Sequence, residues 1–250
     1  VKDFFYENST AYIVMEYIDG ISLKEYLKRR GGTIDYTETL ALMKPVMASL
    51  HTIHKNNLLH RDISPDNIMI DKGGNVKLID FGAARRFGTG DEKSMTVVLK
   101  HGYAPMEQYS RHGEQGAWTD VYALSAVMYR CITGRAPMDS IDRLREDEYV
   151  SIGKICRSMP RHIADAIDKG LAVRPSNRYS NLIEMYNDIY GSLRGRVNRK
   201  VDGVYTRLRT ALIALIVVLM VVALFNGGGL YTLVIVNAGI GLVISVAKYI

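Results

Sequence analysis

Apolar and polar positions recur at two periods along this chain, and the changes of period mark its elements. Phe4-Phe5-Tyr6 and Ala11 to Tyr17 are aromatic and β-branched runs separated by Glu7-Asn8-Ser9-Thr10, which predicts strand, turn, strand. Beyond Asp19-Gly20 the pattern becomes helical from Ser22 to Arg30, with Ser22 placed as the cap and Glu25 three residues on. Leu40, Met43, Met47, Leu50, Ile53 and His54 then recur at intervals of three and four, giving residues 37–56 one apolar helical face. Pro45, inside that run, is expected to kink the helix or mark its true start. Ile68-Met69-Ile70 and Val76 to Ile79 read as short strands joined by Asp71-Lys72-Gly73-Gly74-Asn75, a hairpin turn. Periodicity lapses from Ala83 to Tyr103, and a structureless stretch of about 20 residues in a compact domain is usually functional. A strongly apolar helix follows from Trp118 to Ile132, closed by Thr133-Gly134, with further helices expected near 143–157, 160–171 and 179–193. The fold class is α+β: short hairpins and a mainly helical lobe.

From Thr210 the pattern stops alternating. Ala211 to Phe225 carries no charge, Asn226-Gly227-Gly228-Gly229 intervenes, and Leu230 to Ala247 is again uncharged. A helix needs about 20 residues to cross the hydrocarbon core. Residues 210–250 are therefore expected to form a transmembrane region of two helices, with one long tilted span as the alternative. The 250-residue chain has a net charge of +6, and residues 192–209 hold +5 of it through Arg194, Arg196, Arg199, Lys200, Arg207 and Arg209 against Asp202. Lys248 supplies the remaining charge, so residues 1–191 are neutral, and a nucleic-acid-binding face is excluded. Basic residues beside an apolar span belong on the cytoplasmic side, where they can also touch anionic membrane lipid. The expected domain plan is a folded unit over 1–193, a basic juxtamembrane linker over 194–209 and the membrane region over 210–250, with the folded unit facing the cytoplasm. Cys131 and Cys156 have no metal-ligand or redox spacing and read as two reduced thiols.

The chemistry is concentrated in His60-Arg61-Asp62-Ile63-Ser64-Pro65-Asp66-Asn67, followed by Ile79-Asp80-Phe81-Gly82. Two carboxylates and a carboxamide, brought together by a strand-turn-strand unit, suit a hard divalent cation and a nucleophilic hydroxyl. His51 and His54 read as packing or surface histidines, not ligands. The spacing H-R-D-x-x-x-x-N followed by D-F-G resembles the catalytic and metal-binding loops of bacterial eukaryotic-type (Hanks-type) serine/threonine protein kinases, and the likeness covers about residues 1–193.

That resemblance implies the kinase fold, ATP with Mg²⁺ (or Mn²⁺) as cofactors, and a protein substrate. It implies Asp62 as the group that orients and deprotonates the accepting hydroxyl, with Asn67 and Asp80 as metal ligands. Met15 becomes the gatekeeper, Glu16 and Ile18 bond adenine through their backbone, and Met69 and Ile79 line the nucleotide pocket. Phe81 and Gly82 complete the metal loop, and His60 belongs to the catalytic loop. Residues 83–103 become the activation segment, with Thr89, Ser94 and Thr96 as candidate phosphosites whose phosphate pairs with Arg61. Glu107, in Gly102-Tyr103-Ala104-Pro105-Met106-Glu107-Gln108, is expected to pair with Arg178, and Asp120 to brace the catalytic loop. A dimer that autophosphorylates in trans is part of the same expectation.

Two positions depart from the family pattern together. Ser64 stands where a Lys is usual, two residues after the catalytic Asp, and Lys100 stands where a Thr is usual, three residues before Tyr103. The pair reads as an exchange of hydroxyl and ammonium across one site, which adds Ser64 and Lys100 to the catalytic set. Nothing in the chain matches the Gly-rich loop, the strand Lys or its helix Glu partner, so the chain is expected to be a fragment that lacks most of the N-terminal lobe and turns over little alone. Two other readings stand against a membrane-anchored kinase. One is a membrane-tethered pseudokinase, disfavoured because Asp62, Asn67 and Asp80 are all present. The other is a small-molecule phosphotransferase, disfavoured by the long activation-like segment and Arg61.

Overall fold

The computed structural model describes residues 2–80, 85–86, 99–110, 113–191, 231–238 and 241–248. The chain divides into two units, Val1–Ser192 and Leu193–Ile250.

The first unit opens with a hairpin, β1 (Asp3–Glu7) and β2 (Thr10–Val14), in the register Glu7↔Thr10. Its two-residue turn needs positive φ at both central positions, and Asn8 (φ 50°) and Ser9 (φ 53°) supply it without a glycine. Phe5 stacks on its cross-strand partner Tyr12 with ring centroids 5.1 Å apart, yet every residue of both strands is exposed. β3 (Gly20–Ser22) runs into α1 (Leu23–Arg29), where the Ser22 hydroxyl accepts from the Glu25 N–H at 3.2 Å and caps the helix. Asp35 caps α2 (Tyr36–Lys55) in the same way, through the N–H groups of Thr37 and Glu38. Pro45 neither starts nor ends α2. The helix runs through it, giving up only the bond that a Pro nitrogen cannot donate to Ala41.

The short β4 (Leu58–Leu59) precedes the catalytic-looking loop, which leads into β5 (Ile68–Asp71) and β6 (Val76–Leu78). β5 is the centre of a three-stranded antiparallel sheet ordered β3-β5-β6. Asp71 builds the β5–β6 turn by accepting from the N–H groups of Gly73 (2.9 Å) and Asn75 (2.8 Å), while Gly74 takes φ 81°. β7 (Arg85–Arg86) returns to pair antiparallel with β4.

The helical layer centres on α3 (Ala117–Thr133), which is mostly apolar and buried on every side from Thr119 to Tyr129; Gly134 at φ 81° ends it. Around it lie α4 (Ser140–Arg145), α5 (Ile152–Ile155), α6 (Arg161–Gly170) and α7 over residues 182–191. Leu27, Met43, Leu50, Leu124, Met128, Ile167 and Met185 meet in one core. Each such side chain stabilises the fold by about 1.5–3 kcal/mol on burial. The single helix expected over 143–157 is instead two short ones. Asp168 of α6 explains the break: its carboxylate accepts from Ser151 Oγ, Tyr149 OH and the Ile152 N–H, which holds residues 149–151 in a non-helical stretch before α5.

In the second unit, β8 (Tyr231–Ala238) and β9 (Gly241–Lys248) pair antiparallel, Ala238 opposite Gly241. This corrects the helix expected over Leu230 to Ala247. Val234, Ile235, Val236, Val243, Ile244 and Val246 are β-branched, and that stiffness favours the extended chain. The first apolar run, 210–230, lies outside the described residues, as does the basic linker 194–209. Among the described residues no helix is long and apolar enough to cross a membrane.

Candidate active site

Asp120, in the first turn of α3 and fully buried, organises the loop before β5. Its Oδ2 accepts from His54 Nε2 at 2.7 Å and from the His60 N–H at 2.9 Å, and its Oδ1 from the Arg61 N–H at 2.9 Å. Three donors compensate the carboxylate for its removal from water. They also fix Arg61, whose φ of 69° is unusual for a non-glycine residue. The Arg61 peptide is pinned from its other side too, where its carbonyl accepts from Gln108 Nε2 at 2.8 Å. Strain of this kind, about 1–3 kcal/mol, persists only where the surroundings over-determine the backbone.

His60 is fully buried between the two loops. Its Nε2 lies 3.0 Å from the Ile79 carbonyl and its Nδ1 3.4 Å from the Asp62 N–H. A neutral ring protonated on Nε2 satisfies both contacts, and burial pushes the His60 pKa down from its ordinary value, against the opposing pull of Asp120. His60 thereby ties the strand that leads into Asp80 to the loop that carries Asp62. Asp80 itself is exposed and has φ 63°.

Asn67 closes the loop. Its Nδ2 donates to the Asp62 carbonyl at 2.7 Å and to Asp62 Oδ2 at 2.8 Å, and its backbone N–H bonds the Ser64 carbonyl at 3.0 Å. With both donors of the amide spent on Asp62, the Asn67 oxygen points away from it. The Asn67 carbonyl accepts from the Ile79 N–H at 2.9 Å, which brings Asp80 alongside. Lys100 Nζ lies 3.0 Å from Asp62 Oδ1, 3.1 Å from Asp62 Oδ2 and 2.9 Å from Ser64 Oγ, so the structure brings these three residues together. With Arg61, Tyr103 and Gln108 among others, Asp62 and Lys100 line a small cleft.

Glu107 and Arg178 form a buried bidentate pair, Nη1 to Oε1 at 2.6 Å and Nη2 to Oε2 at 3.1 Å. The other Arg178 donors reach the carbonyls of Ala172, Val173 and Trp118, and Thr119 Oγ1 adds a bond to Glu107 at 3.0 Å.

The residues expected around a nucleotide are less gathered. Met15 is 63% exposed, Glu16 pairs with Lys77 at the surface, and Ile18, Met69 and Ile79 are half-buried. A larger cavity, of about 850 Å³, is lined by residues of α1, the start of α2, Ile132, Cys156 and Ser158, none of them an expected site residue. Phe81, Gly82, Thr89, Ser94 and Thr96 lie outside the described residues. Arg61, expected to meet a phosphate, donates through Nε to Gln115 Oε1 at 2.7 Å.

Three residues of this network escaped the sequence reading: His54, Gln108 and Gln115. For His54 a signal existed, since a polar ring on the apolar face of α2 needs a buried acceptor. Gln108 closes a short 3-10 turn over Met106–Gln108 and Gln115 lies in a loop, where spacing identifies no partner.

Buried catalytic-loop geometry of this kind on a helical lobe defines a protein kinase, and the chain belongs to the protein kinase domain family, whose profile matches residues 1–190. It is 32% identical over 195 residues to the serine/threonine-protein kinase PrkC of Bacillus subtilis strain 168, a match covering 76% of this chain and 30% of that protein. It is 34% identical over 188 residues to the serine/threonine-protein kinase PknB of Mycolicibacterium smegmatis, covering 71% and 30%. The solved structure described as PpkA-294 apo form is similar with a TM-score of 0.65 and 36% identity, over 75% of this chain and 66% of that one. The chain thus spans about a third of the length of these curated relatives.

Proposed function

We propose that the protein is a serine/threonine protein kinase that transfers the γ-phosphoryl group of ATP to Ser or Thr hydroxyls of proteins, in line with the names of its relatives. The observation that carries this reading is Asp62. Its carboxylate is held by Asn67 Nδ2 at 2.8 Å beside a cation, yet remains about a fifth exposed, open to an incoming hydroxyl.

Asp62 orients the hydroxyl and takes its proton; His60 and Asp120 hold the loop that presents it. The Asn67 oxygen and the Asp80 carboxylate are hard donors suited to Mg²⁺ or Mn²⁺. Among the described residues no three acidic, His or Cys side chains form a closed cage. Mg²⁺ requires none, since it is commonly held by one or two protein oxygens together with substrate phosphates. When bound, the ion neutralises charge on the phosphates. Met15, Glu16, Ile18, Met69 and Ile79 form the adenine side of the site in this reading, and autophosphorylation in trans within a dimer supplies phosphate to the loop after Asp80.

We place the chain at the cell membrane, its kinase unit facing the cytoplasm. The support is compositional: residues 210–230 carry no charge, and residues 192–209 carry +5. Arg194, Arg196, Arg199 and Arg207 changed together to Gln should weaken the orientation; protease protection that puts the kinase unit on the far side in the wild type contradicts this topology.

The kinase reading is tested by incubating the full-length polypeptide, with any coding sequence that flanks this chain, with Mg²⁺ and [γ-³²P]ATP. Label on phosphoserine or phosphothreonine is expected. Label confined to small molecules, or absent, overturns the reading and favours the phosphotransferase or pseudokinase alternatives.

A further inference from the structure

We propose that Lys100 is a catalytic residue: it delivers, from 38 positions downstream of Asp62, the cation that meets the transferring phosphoryl group, with Ser64 as its hydroxyl partner. The proposal deepens the kinase reading above and rests on it.

The ammonium group of Lys100 is anchored, although its side chain is about a third exposed. Nζ donates to Asp62 Oδ2 at 3.1 Å and to Ser64 Oγ at 2.9 Å, and it lies 3.0 Å from Asp62 Oδ1 as an ion pair. Ser64 is fully buried. A lysine side chain loses much rotamer freedom when pinned this way, so a contact made twice to a carboxylate and once to a buried hydroxyl needs a reason. Its backbone is fixed as well. The Lys100 carbonyl accepts from the N–H groups of Tyr103 and Ala104, both at 3.0 Å, and the Ala104 carbonyl accepts from the buried Ser140 Oγ at 2.9 Å. Gly102, between them, takes φ 79° so close to the next loop that an added Cβ would lie 2.7 Å from the Pro137 carbonyl. The turn that carries Lys100 is therefore docked on the helical layer, and the cation is positioned by packing.

The placement has a chemical meaning. The acceptor hydroxyl must sit within hydrogen-bond reach of Asp62, and the γ-phosphorus lies just beyond it. As the hydroxyl oxygen bonds to phosphorus, the bond to the β–γ bridging oxygen breaks, and its electron pair leaves on ADP. The hydroxyl proton passes to Asp62. Charge spreads over the equatorial oxygens during this step, and a fixed ammonium beside them stabilises that state. Lys100 stays protonated throughout. Ser64, two residues after Asp62, accepts one of its N–H groups and keeps the ammonium from resting wholly on the base. Lys100 sits on the turn formed by residues 100–104, so the position of the cation depends on the packing of that turn against the helical layer.

The test compares full-length wild type with K100A, K100M, K100T and the double variant S64K/K100T. Single-turnover transfer from saturating Mg²⁺ and [γ-³²P]ATP to dephosphorylated casein gives the rate, and Mg²⁺-ADP binding is measured separately. K100A and K100M should both slow transfer by about 10²–10³-fold, the usual effect of removing one transition-state donor, with Mg²⁺-ADP affinity changed less than about threefold. S64K/K100T should recover to within about tenfold of wild type, because the charge returns from the opposite side of the site. K100M retains the aliphatic stem, so it reports on the charge even if K100A unfolds. A K100A or K100M rate within about threefold of wild type overturns the proposal and leaves the kinase reading standing. A double variant no faster than K100T overturns the exchange with Ser64. A wild type that transfers nothing defeats both readings together.

Discussion

Replacing Arg178 with Ala should be among the most destabilising single changes in the kinase unit. All five N–H donors of its guanidinium are engaged: two on Glu107, one each on the carbonyls of Ala172 and Val173, and one on Trp118 at 3.3 Å. Its plane also lies over Tyr122, 4.8 Å from the ring centroid. Truncation leaves the Glu107 carboxylate buried with, among the described residues, Thr119 Oγ1 at 3.0 Å as its side-chain donor. Removing one partner of a buried pair costs about 3–5 kcal/mol, because the other charge stays behind without compensation. Total stabilities run to about 5–15 kcal/mol, so R178A should forfeit about a fifth or more of the fold's margin. At about 2–4 °C per kcal/mol for a unit of this size, the midpoint should drop by about 6–20 °C. The assay is equilibrium urea unfolding followed by fluorescence of Trp118, the single tryptophan, whose carbonyl Arg178 touches. With a slope of about 2 kcal/mol/M, the urea midpoint should fall by about 1.5–2.5 M. The double variant E107L/R178M removes both charges at similar volume and should recover most of the loss. A loss below about 1 kcal/mol in R178A would refute the reasoning, since Glu107 would then have to be at ease unpaired.

Asp120→Asn replaces an oxygen that accepts from backbone or ring nitrogen with a donor, so His54, His60 or Arg61 loses its acceptor. It should cost about 1–3 kcal/mol in chemical denaturation and lower the transfer rate while nucleotide affinity holds; unchanged stability and rate together would show that the brace is dispensable. His60 gives a pH signature with a definite sign. Its folded pKa lies below the ordinary value of about 6.5, so the unfolded chain binds the proton more readily and stability must rise with pH through this range. The contribution is complete above about pH 6.5 and is lost as pH falls toward the depressed folded value. H60Q should therefore flatten the wild-type loss of stability between pH 7 and pH 5, and parallel curves for the two proteins would contradict the assignment.

Much of this fold was legible because several short-range signals agreed at the same residues. Ser22, with Glu25 three residues later, marks α1 to within a residue, and Asp71 with Gly74 marks the β5–β6 turn. Gly134 ends α3 through its left-handed φ, as a Thr-Gly step after an apolar run suggests. The errors fall where tertiary contacts overrule local pattern. Pro45 is absorbed inside α2 because apolar neighbours on both sides, Met43, Val46 and Met47, are buried in the same core. The 143–157 segment is divided by Asp168, a residue more than ten positions away that periodicity cannot see. The helix expected over Leu230 to Ala247 gave way to strands because an uncharged β-branched run suits either state, and length alone decided for helix. In the site, Asp62, Asn67 and Ser64 share one loop, so their proximity follows from sequence distance. Lys100 and Asp120 reach the same loop from 38 and 59–60 residues away, and only packing brings them there. The partners of Arg61 were the least legible part: Gln115 and Gln108 are polar residues of a loop and a 3-10 turn, and their bonds depend on where those segments meet the catalytic loop.

The central claim, that this loop transfers a phosphoryl group with Asp62 as its base, is tested most directly by Asp62→Asn in the full-length polypeptide. The variant keeps the shape of the side chain and can still meet Asn67 through its oxygen, so the fold should hold in urea unfolding to within about 1 kcal/mol. Single-turnover transfer to Ser or Thr should fall by about 10²–10⁴-fold, the range of a lost general base, while Mg²⁺-ADP still binds. A folded D62N protein that phosphorylates at the wild-type rate would contradict the account.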